Sequence, residues 1–423
     1  MLLITNGRVV DPDGKTDKTA DLFIRDGKIA PLSELPEDRS VLTVLDAARC
    51  IAAPGLVDMH VHFRDPGFLY KEDLMSGSEA AAAGGVTTVA CMPNTSPVID
   101  NAEAVADITN RAKAAPVNIL PYGAVTLGQK GRELTDTAAL KAAGAVALSD
   151  DGIPVMSAAL LRDAMKSAKK LDMLISSHCE DTGLVENHAV NEGEVSERLG
   201  IPGRPAVAEE LMVMRDVMLA RDTGARLHIA HVSTAGSVEI IRRAKADGVK
   251  VTAETCPQYF TLTENEVLTQ GAMARVNPPL RTQRDIDAII RGLTDGTIDA
   301  IATDHAPHSF DEKALPLTEA PSGMVGLETS LALTLTMLYH TGRLPFINII
   351  ELMSAAPSKI LGINKGRIAV GDDADLIIFD PNEPWTVDPA RFKSKGRNTP
   401  FTGMTLKGKV KYTIVGGKIV YTA

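Results

Sequence analysis

Histidine and aspartate residues follow several apolar segments in the middle of the chain, and residues of these types can bind divalent metal ions. Alternate residues of a strand point to the same face, so a His-x-His pair can share one ion. Imidazole and carboxylate ligands without thiolate suit Zn²⁺ or a similar divalent metal. The candidates are His60 and His62, Asp150 and Asp151, His178, His231, and Asp304. The sequence therefore predicts a metal centre.

Each candidate also has a simpler interpretation. A single histidine after a strand is usually a hydrogen-bonded structural residue, and an Asp-Gly pair is usually a turn. Candidates after five different segments are much less expected by chance. The remaining histidines are interpreted separately: His228 as a core residue, His188 and His340 as helix or loop residues, His305 as a partner of a ligand, and His308 as a rim residue that could contact substrate.

Apolar segments of strand length alternate with segments of helix length through this part of the chain. The predicted strands are Leu56–Val61, Val86–Cys91, Val117–Gly123, Ala145–Ser149, Met173–Ser177, Arg226–His231, Val249–Glu254 and Ile298–Thr303. The predicted helices are Asp73–Ala83, Ala102–Ala115, Ser157–Leu171, Ala206–Thr223, Ala235–Asp247 and Arg284–Leu293. Alternation of this kind predicts an α/β protein with a parallel sheet.

The size and order of these units favour a (β/α)₈ TIM-type barrel over an open doubly wound sheet. An open sheet would want a glycine-rich phosphate turn after its first strand, and residues 60–67 contain no G-x-G-x-x-G. In a barrel the catalytic residues lie at the carboxyl ends of the strands. All the candidate ligands follow predicted strands, so the barrel would bring them to one rim.

The two ends of the chain differ from the middle. Short alternating segments separated by turns occur at Leu2–Thr5, Arg8–Val10, Asp21–Arg25 and Lys28–Ala30, and again at Gly366–Ala369, Ala374–Asp380 and Val410–Val420. They predict strands that form one small β-sandwich module from both termini. The expected domains are residues 1–53 and 364–423 for this module and residues 54–363 for the catalytic barrel.

Composition excludes several classes of function. The 423 residues carry a formal net charge of −10, and no long basic run suggests a nucleic acid or an anionic membrane as partner. No apolar run approaches the roughly 20 residues that span a bilayer, and the first residues do not resemble a signal peptide. The four cysteines are scattered, which predicts neither disulfides nor a cysteine zinc site. We expect a cytoplasmic enzyme that acts on a small molecule.

Three motifs resemble the bacterial class I dihydroorotases of the amidohydrolase superfamily, and the resemblance extends over nearly the whole chain. They are the segments 55–67 (GLVDMHVHFRDPG), 92–95 (MPNT) and 302–308 (ATDHAPH). The His-x-His pair and Asp304 are common to the superfamily. The segments 64–67 (RDPG) and 92–95 are more particular to dihydroorotases.

The resemblance implies two Zn²⁺ ions per subunit. His60, His62 and Asp304 would hold one ion, and His178 and His231 the other, with Asp151 between them. Hydantoinases and the other dihydroorotase class bridge their metals with a carbamylated lysine at the end of strand four. Here residues 145–151 contain no lysine, and Lys141 belongs to the preceding helix, so an aspartate has to bridge directly. Asp150 is the alternative bridge.

The activity implied is the reversible cyclisation of N-carbamoyl-L-aspartate to dihydroorotate in de novo pyrimidine (UMP) biosynthesis. Zinc-activated hydroxide would attack the cyclic amide, with Asp304 as general acid and base. The substrate would contact His62, Arg64, Asn94, Asn277, His308, Ser322 and Gly323. Arg64 would bind the substrate carboxylate through its planar fork. Alternatively, Arg64 pairs with Asp65 or Glu72.

Two other functions are considered. One is a different cyclic amidase, a hydantoinase or allantoinase, whose substrates lack the carboxylate that Arg64 and Asn94 would bind. The other is a non-catalytic scaffold, which typically loses ligands that this chain retains. A homodimer is expected, and association with other pyrimidine-pathway enzymes is open.

Overall fold

The computed structural model describes residues 1–185 and 189–423, so the prediction for His188 lies outside the described residues. The strands are β1 (Leu2–Thr5), β2 (Arg8–Asp11), β3 (Thr16–Thr19), β4 (Leu22–Arg25), β5 (Lys28–Ala30), β6 (Thr43–Asp46), β7 (Ile51–Pro54), β8 (Leu56–Val61), β9 (Val86–Cys91), β10 (Asn118–Pro121), β11 (Leu174–Ser177), β12 (Val190–Asn191), β13 (Gly203–Arg204), β14 (Arg226–Ile229), β15 (Val251–Thr255), β16 (Ala300–Ile301), β17 (Leu376–Thr386), β18 (Thr405–Val415) and β19 (Lys418–Thr422).

Helices lie between most of the strands of the middle part. The α-helices are α1 (Leu74–Ala83), α2 (Ala102–Arg111), α3 (Thr137–Ala143), α4 (Ala158–Lys170), α5 (Glu194–Leu199), α6 (Val207–Thr223), α7 (Ala235–Ala246), α8 (Pro257–Thr261), α9 (Glu266–Gln270), α10 (Gln283–Asp295), α11 (Phe310–Lys313), α12 (Ser330–Thr334), α13 (Phe346–Ile350) and α14 (Ala356–Leu361). Short 3₁₀ turns occupy Leu32–Glu34, Arg39–Val41, Ala112–Ala114, Leu127–Gln129, Gly271–Ala274 and Pro389–Arg391, and π-helical turns occupy Leu335–Tyr339 and Glu351–Ala355. Within the described ranges, no helix has the length and apolarity that crossing a membrane requires.

The strands of the middle part pair in parallel. One sheet has the order β10-β9-β8 and another the order β11-β14-β15-β16. Leu148 connects them through parallel bridges to Gly123 and Ile175, and His305 forms a parallel bridge to Val61 of β8. The pairing thus returns to the strand at which it began. Because the strands are parallel, their carboxyl ends lie on one side of the sheets, as the metal hypothesis requires.

Most predicted elements of this part are confirmed to within a few residues. β8 and β9 have the predicted bounds, and every residue in them is buried, as expected for parallel strands covered on both faces. The fourth predicted strand, Ala145–Ser149, is wrong as a regular strand and contributes only the bridge residue Leu148. Its backbone still bonds to the neighbouring segment: the Val146 N–H donates to the Pro121 carbonyl at 2.9 Å, and the Gly123 N–H donates to the Ala147 carbonyl at 3.0 Å.

The predicted helices are confirmed, and capping residues account for their starts. The Asp73 side chain accepts hydrogen bonds from the N–H groups of Met75 and Ser76 at the start of α1, and the Ser76 hydroxyl accepts from the Asp73 N–H. Thr282 and Asp285 form a similar capping box at the start of α10. Such reciprocal bonds satisfy N–H groups that the first turn of a helix leaves free.

Both chain ends contribute to the same β-sheets. The order β19-β18-β17-β7-β2-β3 joins strands from the two termini in one sheet, and β5-β4-β1-β6 forms a second. Ile4, Ile24, Ile378 and Ile414 belong to the apolar cluster of this part. The predicted strand at Gly366–Ala369 is wrong. Gly366 has a positive φ of 73°, which a strand does not accommodate.

A buried carboxylate joins the terminal β-sheets to the parallel strands. Asp375 Oδ2 accepts hydrogen bonds from Asn118 Nδ2 at 2.9 Å and from Lys365 Nζ at 2.6 Å. Its Oδ1 accepts from the Gly416 N–H at 2.7 Å. Asn118 lies in β10, so this one side chain fixes the position of the C-terminal strands against the middle part of the chain.

We expect Asp375→Ala to destabilise the protein by about 3 kcal/mol, because it removes three hydrogen bonds of a buried carboxylate and each contributes about 0.5–1.5 kcal/mol. Urea unfolding monitored by circular dichroism measures the change. Asp163→Ala is the control: Asp163 is exposed and forms a surface ion pair with Lys166, so the loss should stay below about 1 kcal/mol. Equal losses for the two variants would contradict the role of Asp375.

Candidate metal centre and active site

Two groups of potential metal ligands lie at the carboxyl ends of the parallel strands and share one residue. The first comprises His60, His62 and Asp151, and the second Asp151, His178 and His231. In each group, one ligand atom per residue lies within 4.8 Å of the others, and all five residues are buried. The structure therefore brings together five of the six predicted ligands in two overlapping triads.

The carboxylate of Asp151 lies at the centre of these groups. Its Oδ1 lies 3.5 Å from His60 Nε2, 3.5 Å from His178 Nδ1 and 3.4 Å from His231 Nε2. Its Oδ2 lies 3.4 Å from His62 Nε2. These distances are long for hydrogen bonds but suit a carboxylate that shares cations with the surrounding rings.

Asp304, the sixth predicted ligand, completes the first group from the side of strand β16. Its Oδ1 lies 3.0 Å from His62 Nε2 and 3.6 Å from His60 Nε2. Asp304 and His231 have positive φ angles of 50° and 34°. Non-glycine residues seldom adopt such angles, which occur most often at functional sites. Here the unusual backbone accompanies side chains that face the cluster.

Asp150 lies beside the cluster but its side chain points elsewhere. Its Oδ1 accepts hydrogen bonds from the N–H groups of Val125 and Thr126 at 2.7 and 3.2 Å, and the Thr126 hydroxyl donates to Oδ2. Burial raises the pKa of Asp150 to about 6. Of the two aspartates that the sequence left open as the bridge, the structure puts Asp151 among the histidines and Asp150 in a loop-supporting role.

Charge and burial in the cluster fit divalent cations. His60 Nε2 and Asp151 Oδ1 are buried and have no hydrogen-bond partner among the described residues, which is costly unless another group satisfies them. Burial alone would lower the pKa of His60 and raise that of Asp151. Their mutual attraction reverses both shifts, so the pKa of His60 lies above its usual value and that of Asp151 well below it. Two metal ions would satisfy both atoms.

Glu254, at the carboxyl end of the predicted strand Val249–Glu254, was not among the predicted site residues. Its Oε1 lies 2.7 Å from His60 Nδ1, and its Oε2 lies 3.3 Å from His228 Nε2. A proton on Nδ1 that is donated to Glu254 leaves the Nε2 lone pair of His60 directed at Asp151, the usual arrangement around a metal-binding histidine. Examining all strand ends, including the seventh, would have found it. His228 is fully buried, as predicted.

Arg64 extends from the cluster toward the loop that follows Asp304. Its Nε donates to the Pro307 carbonyl at 3.3 Å, and one terminal nitrogen lies 3.3 Å from His308 Nε2. Within residues 1–185 and 189–423, no carboxylate lies within 4 Å of its guanidinium nitrogens. The planar fork therefore remains available to an anionic ligand.

The alternative prediction, in which Arg64 pairs with Asp65 or Glu72, is wrong. Asp65 instead forms an ion pair with Arg111 at 2.8 Å. Glu72 lies 3.3 Å from the His305 ring. His305 therefore does not join the ligand groups, although its carbonyl accepts a hydrogen bond from the His62 N–H at 2.9 Å.

His308 lies in the same loop and is uncharged. Its Nε2 lies 2.9 Å from the Ser322 carbonyl, an acceptor, so Nε2 carries the ring proton. Its Nδ1 lies 3.5 Å from Lys71 Nζ. Burial, with the nearby charges of Arg64 and Lys71, lowers the pKa of His308 to about 2. The ring can thus donate only through Nε2.

The predicted asparagines contact ligand residues. Asn94 Oδ1 lies 2.9 Å from His62 Nδ1, and Asn277 Nδ2 lies 3.5 Å from His178 Nε2. Glu180 accepts a hydrogen bond from Asn277 Nδ2 at 3.3 Å and pairs with Arg204. No motif in the sequence indicated Glu180 or Arg204, because the two residues lie far apart in the chain and meet only in the fold.

Comparison with known proteins points to one family. The model of the "Dihydro-orotase-like" family matches residues 49–237. The dihydroorotase of Clostridioides difficile is 50% identical over 423 residues, which cover 100% of both chains. That of Pelotomaculum thermopropionicum is 52% identical over 419 residues, covering 99% of this chain and 98% of the relative. The chain belongs to the dihydroorotase family.

A solved structure outside the family shares its fold. The L-hydantoinase of Arthrobacter aurescens superposes with a TM-score of 0.89 and 28% identity, covering 100% of this chain and 96% of the hydantoinase. Sequence identity to dihydroorotases is nearly twice as high. The fold is thus shared with this hydantoinase, while the sequence associates the chain with dihydroorotases.

The two neighbouring aspartates should differ in their effect on metal binding. We expect Asp151→Asn to lose bound metal, because an uncharged amide is a weaker ligand for a cation than a carboxylate. Asp150→Asn, a matched control, should keep the metal content while lowering thermal stability. Inductively coupled plasma mass spectrometry on dialysed protein measures both. The same metal content in Asp151→Asn as in the unmodified enzyme would contradict the assignment.

Glu254 should influence metal affinity through its contact with His60. Replacing a carboxylate that orients a metal-binding histidine typically costs 10–100-fold in metal affinity, so Glu254→Ala should weaken metal binding by about that factor. Glu254→Gln, which keeps an oxygen acceptor, should lose less. Competition with a fluorescent zinc chelator gives the affinities. Glu133→Ala, which alters an exposed side chain, is the control and should bind metal normally.

Proposed function

We propose that the chain is a dihydroorotase, which interconverts N-carbamoyl-L-aspartate and dihydroorotate in pyrimidine biosynthesis. The observation that carries the proposal is a complete set of six predicted ligands, Asp151 among them, in a chain about half identical to dihydroorotases over its full length. Full coverage matters because every part of the site, from His60 to Gly323, lies within the matched region.

The proposed architecture is a (β/α)₈ barrel of residues 54–363 with a β-sandwich of residues 1–53 and 364–423. Parallel pairing that returns from His305 to Val61 supports a closed barrel. The mixed sheet that contains strands from both termini supports the composite module. The structural likeness to a hydantoinase over the whole chain agrees with both.

Two Zn²⁺ ions per subunit are the proposed cofactors. His60, His62 and Asp304 would hold one, His178 and His231 the other, and Asp151 would bridge them. When bound, such ions lower the pKa of water and polarise the amide carbonyl. Only nitrogen and oxygen ligands are offered, which agrees with zinc but also with other borderline divalent metals.

The side chains around the cluster would divide the work of the reaction. Asp304, which lies 3.0 Å from His62, would accept a proton from the attacking water and return it to the leaving ring nitrogen. Glu254 would hold His60 in its orientation. Arg64 and Asn94 would bind the substrate carboxylate, with Asn277, His308, Ser322 and Gly323 around the rest of the ring. Burial of the cluster would limit access of bulk water.

A hydantoinase or allantoinase is the second candidate, favoured by the close structural likeness to the Arthrobacter protein. These substrates lack the carboxylate for which the unpaired Arg64 fork is suited. A non-catalytic scaffold is less consistent with an intact ligand set.

We further propose a cytoplasmic homodimer. The four free cysteines agree with a reducing compartment.

Ultraviolet absorbance tests the proposed function directly. Purified enzyme should hydrolyse dihydroorotate much faster than hydantoin, dihydrouracil or allantoin, and should form dihydroorotate from carbamoyl-aspartate. Metal content measured on the same sample identifies an inactive preparation. Metal-loaded protein that prefers hydantoin, or that acts on none of these compounds, would refute the proposal.

Asp304→Asn should lower turnover of dihydroorotate by at least 10²–10⁴-fold, the usual contribution of general acid–base catalysis. Asn keeps the size of the side chain but cannot carry the proton. Asp311→Asn, at an exposed position in helix α11, is the control and should retain activity. Near-native turnover by a folded Asp304→Asn variant would rule out the role of Asp304.

Arg64→Met should lower kcat/KM for dihydroorotate by roughly two orders of magnitude, because a charge-assisted bidentate bond is worth about 1.5–3 kcal/mol and 1.4 kcal/mol corresponds to tenfold. Activity on dihydrouracil, the same ring without the carboxylate, should stay level or rise. Metal content should not change, since Arg64 is not a ligand. An equal loss on both substrates would indicate structural damage and reopen the hydantoinase alternative.

A further inference from the structure

Lys313 is a buried lysine that none of the roles above uses. It ends helix α11, and only 3% of its surface is exposed. Its Nζ donates to the carbonyls of Pro321 and Gly323, each at 3.0 Å, and lies 3.4 Å from that of Arg275. Among the described residues, no carboxylate forms an ion pair with it.

Such an environment is unusual for a lysine. Buried lysines are rare unless they are paired with an opposite charge, because removing an ammonium from water is costly. Three carbonyl oxygens match the three N–H donors of the ammonium, so each donor has an acceptor. A side chain held this way fixes the positions of the backbone segments that supply the carbonyls.

Those segments bound the rim loop, defined here as residues 306–323, which follows Asp304. The Gly323 N–H donates to the Arg275 carbonyl at 2.9 Å, and Arg275 Nε donates to Ser322 Oγ at 3.3 Å. Gly323 has a φ of +136°, and a Cβ there would lie 2.7 Å from Ala306 Cβ. The loop therefore closes on itself tightly, and the Lys313 ammonium lies inside the closure.

The carbonyl of Ser322, one residue from two of these contacts, accepts the hydrogen bond of His308 Nε2. His308 in turn lies 3.3 Å from the Arg64 guanidinium. A shift of the turn at Pro321–Gly323 would thus move the ring that borders the proposed carboxylate site. Metal ligands are not involved, because none of the three carbonyls belongs to a ligand or to its neighbour in sequence.

We propose that Lys313 is a positioning residue for substrate binding: its ammonium holds the turn 321–323 against Arg275 and thereby places His308 and Ser322 beside Arg64. The proposal rests on the proposed function, since it assigns these residues to the binding of dihydroorotate. The positioning role can be tested separately from the activity, because Lys313 should affect binding of the substrate more than its conversion.

Lys313→Met tests this most directly, because methionine has a similar length and no N–H donors. We expect KM for dihydroorotate to rise at least tenfold, with kcat reduced less than about threefold and metal content unchanged. Lys313→Gln keeps two N–H donors and should give an intermediate KM; it also serves if the methionine variant does not fold. Lys393→Met, at an exposed position outside the loop, is the matched control and should leave KM unchanged.

Limited proteolysis supplies a readout independent of activity. Phe310 is 77% exposed in the rim loop and offers a chymotrypsin site. Cleavage there should be faster in Lys313→Met than in the unmodified protein or in Lys393→Met, as measured by mass spectrometry of the fragments.

An unchanged KM together with an unchanged cleavage rate in the folded Lys313 variants would overturn the proposal, as would a loss confined to kcat or to metal content. If the unmodified enzyme does not act on dihydroorotate at all, the proposed function fails, and the cleavage rates still decide whether Lys313 holds the loop.

Discussion

The attraction between the Asp151 carboxylate and four surrounding imidazoles organises the centre of this protein. His60, His62, His178 and His231 reach it from the ends of three different strands, at 3.4–3.5 Å from its oxygens. Parallel strands that close on themselves bring those ends together, and burial removes the water that would otherwise screen the charges. Without cations to satisfy the buried atoms, such a concentration of polar groups would be costly.

The side chains around this centre restrict how the ligands can turn. Glu254 holds His60 and Asn94 holds His62, each through the ring nitrogen that faces away from Asp151. Asp150 supports the neighbouring loop through Val125 and Thr126, which keeps the two aspartates in different roles. These contacts hold the ligand residues in fixed orientations, as metal-dependent catalysis requires.

Much of this arrangement could be predicted from the sequence, because strand ends in an alternating α/β pattern meet on one side. His60, His62, His178, His231 and Asp304 were identified in that way. The resemblance favours Asp151 over Asp150 as the bridge, but the residues alone do not decide between them, since the position of Asp150 depends on N–H groups some 25 residues upstream. Arg204 and Lys313 were missed for a similar reason: each acts through partners brought close only by the fold. The predicted strand at Ala145–Ser149 is reduced to the bridge residue Leu148, which the apolar run does not indicate.

The central physical claim is that Asp151 bridges two metal ions. Anomalous X-ray scattering tests this bridge most directly. Crystals of zinc-loaded enzyme, measured on both sides of the zinc absorption edge, should give two anomalous peaks roughly 4 Å apart. One peak should lie beside His60, His62 and Asp304, and the other beside His178 and His231. Asp151 should contact both. A single peak that does not contact Asp151, or two peaks bridged by another residue, would contradict the account.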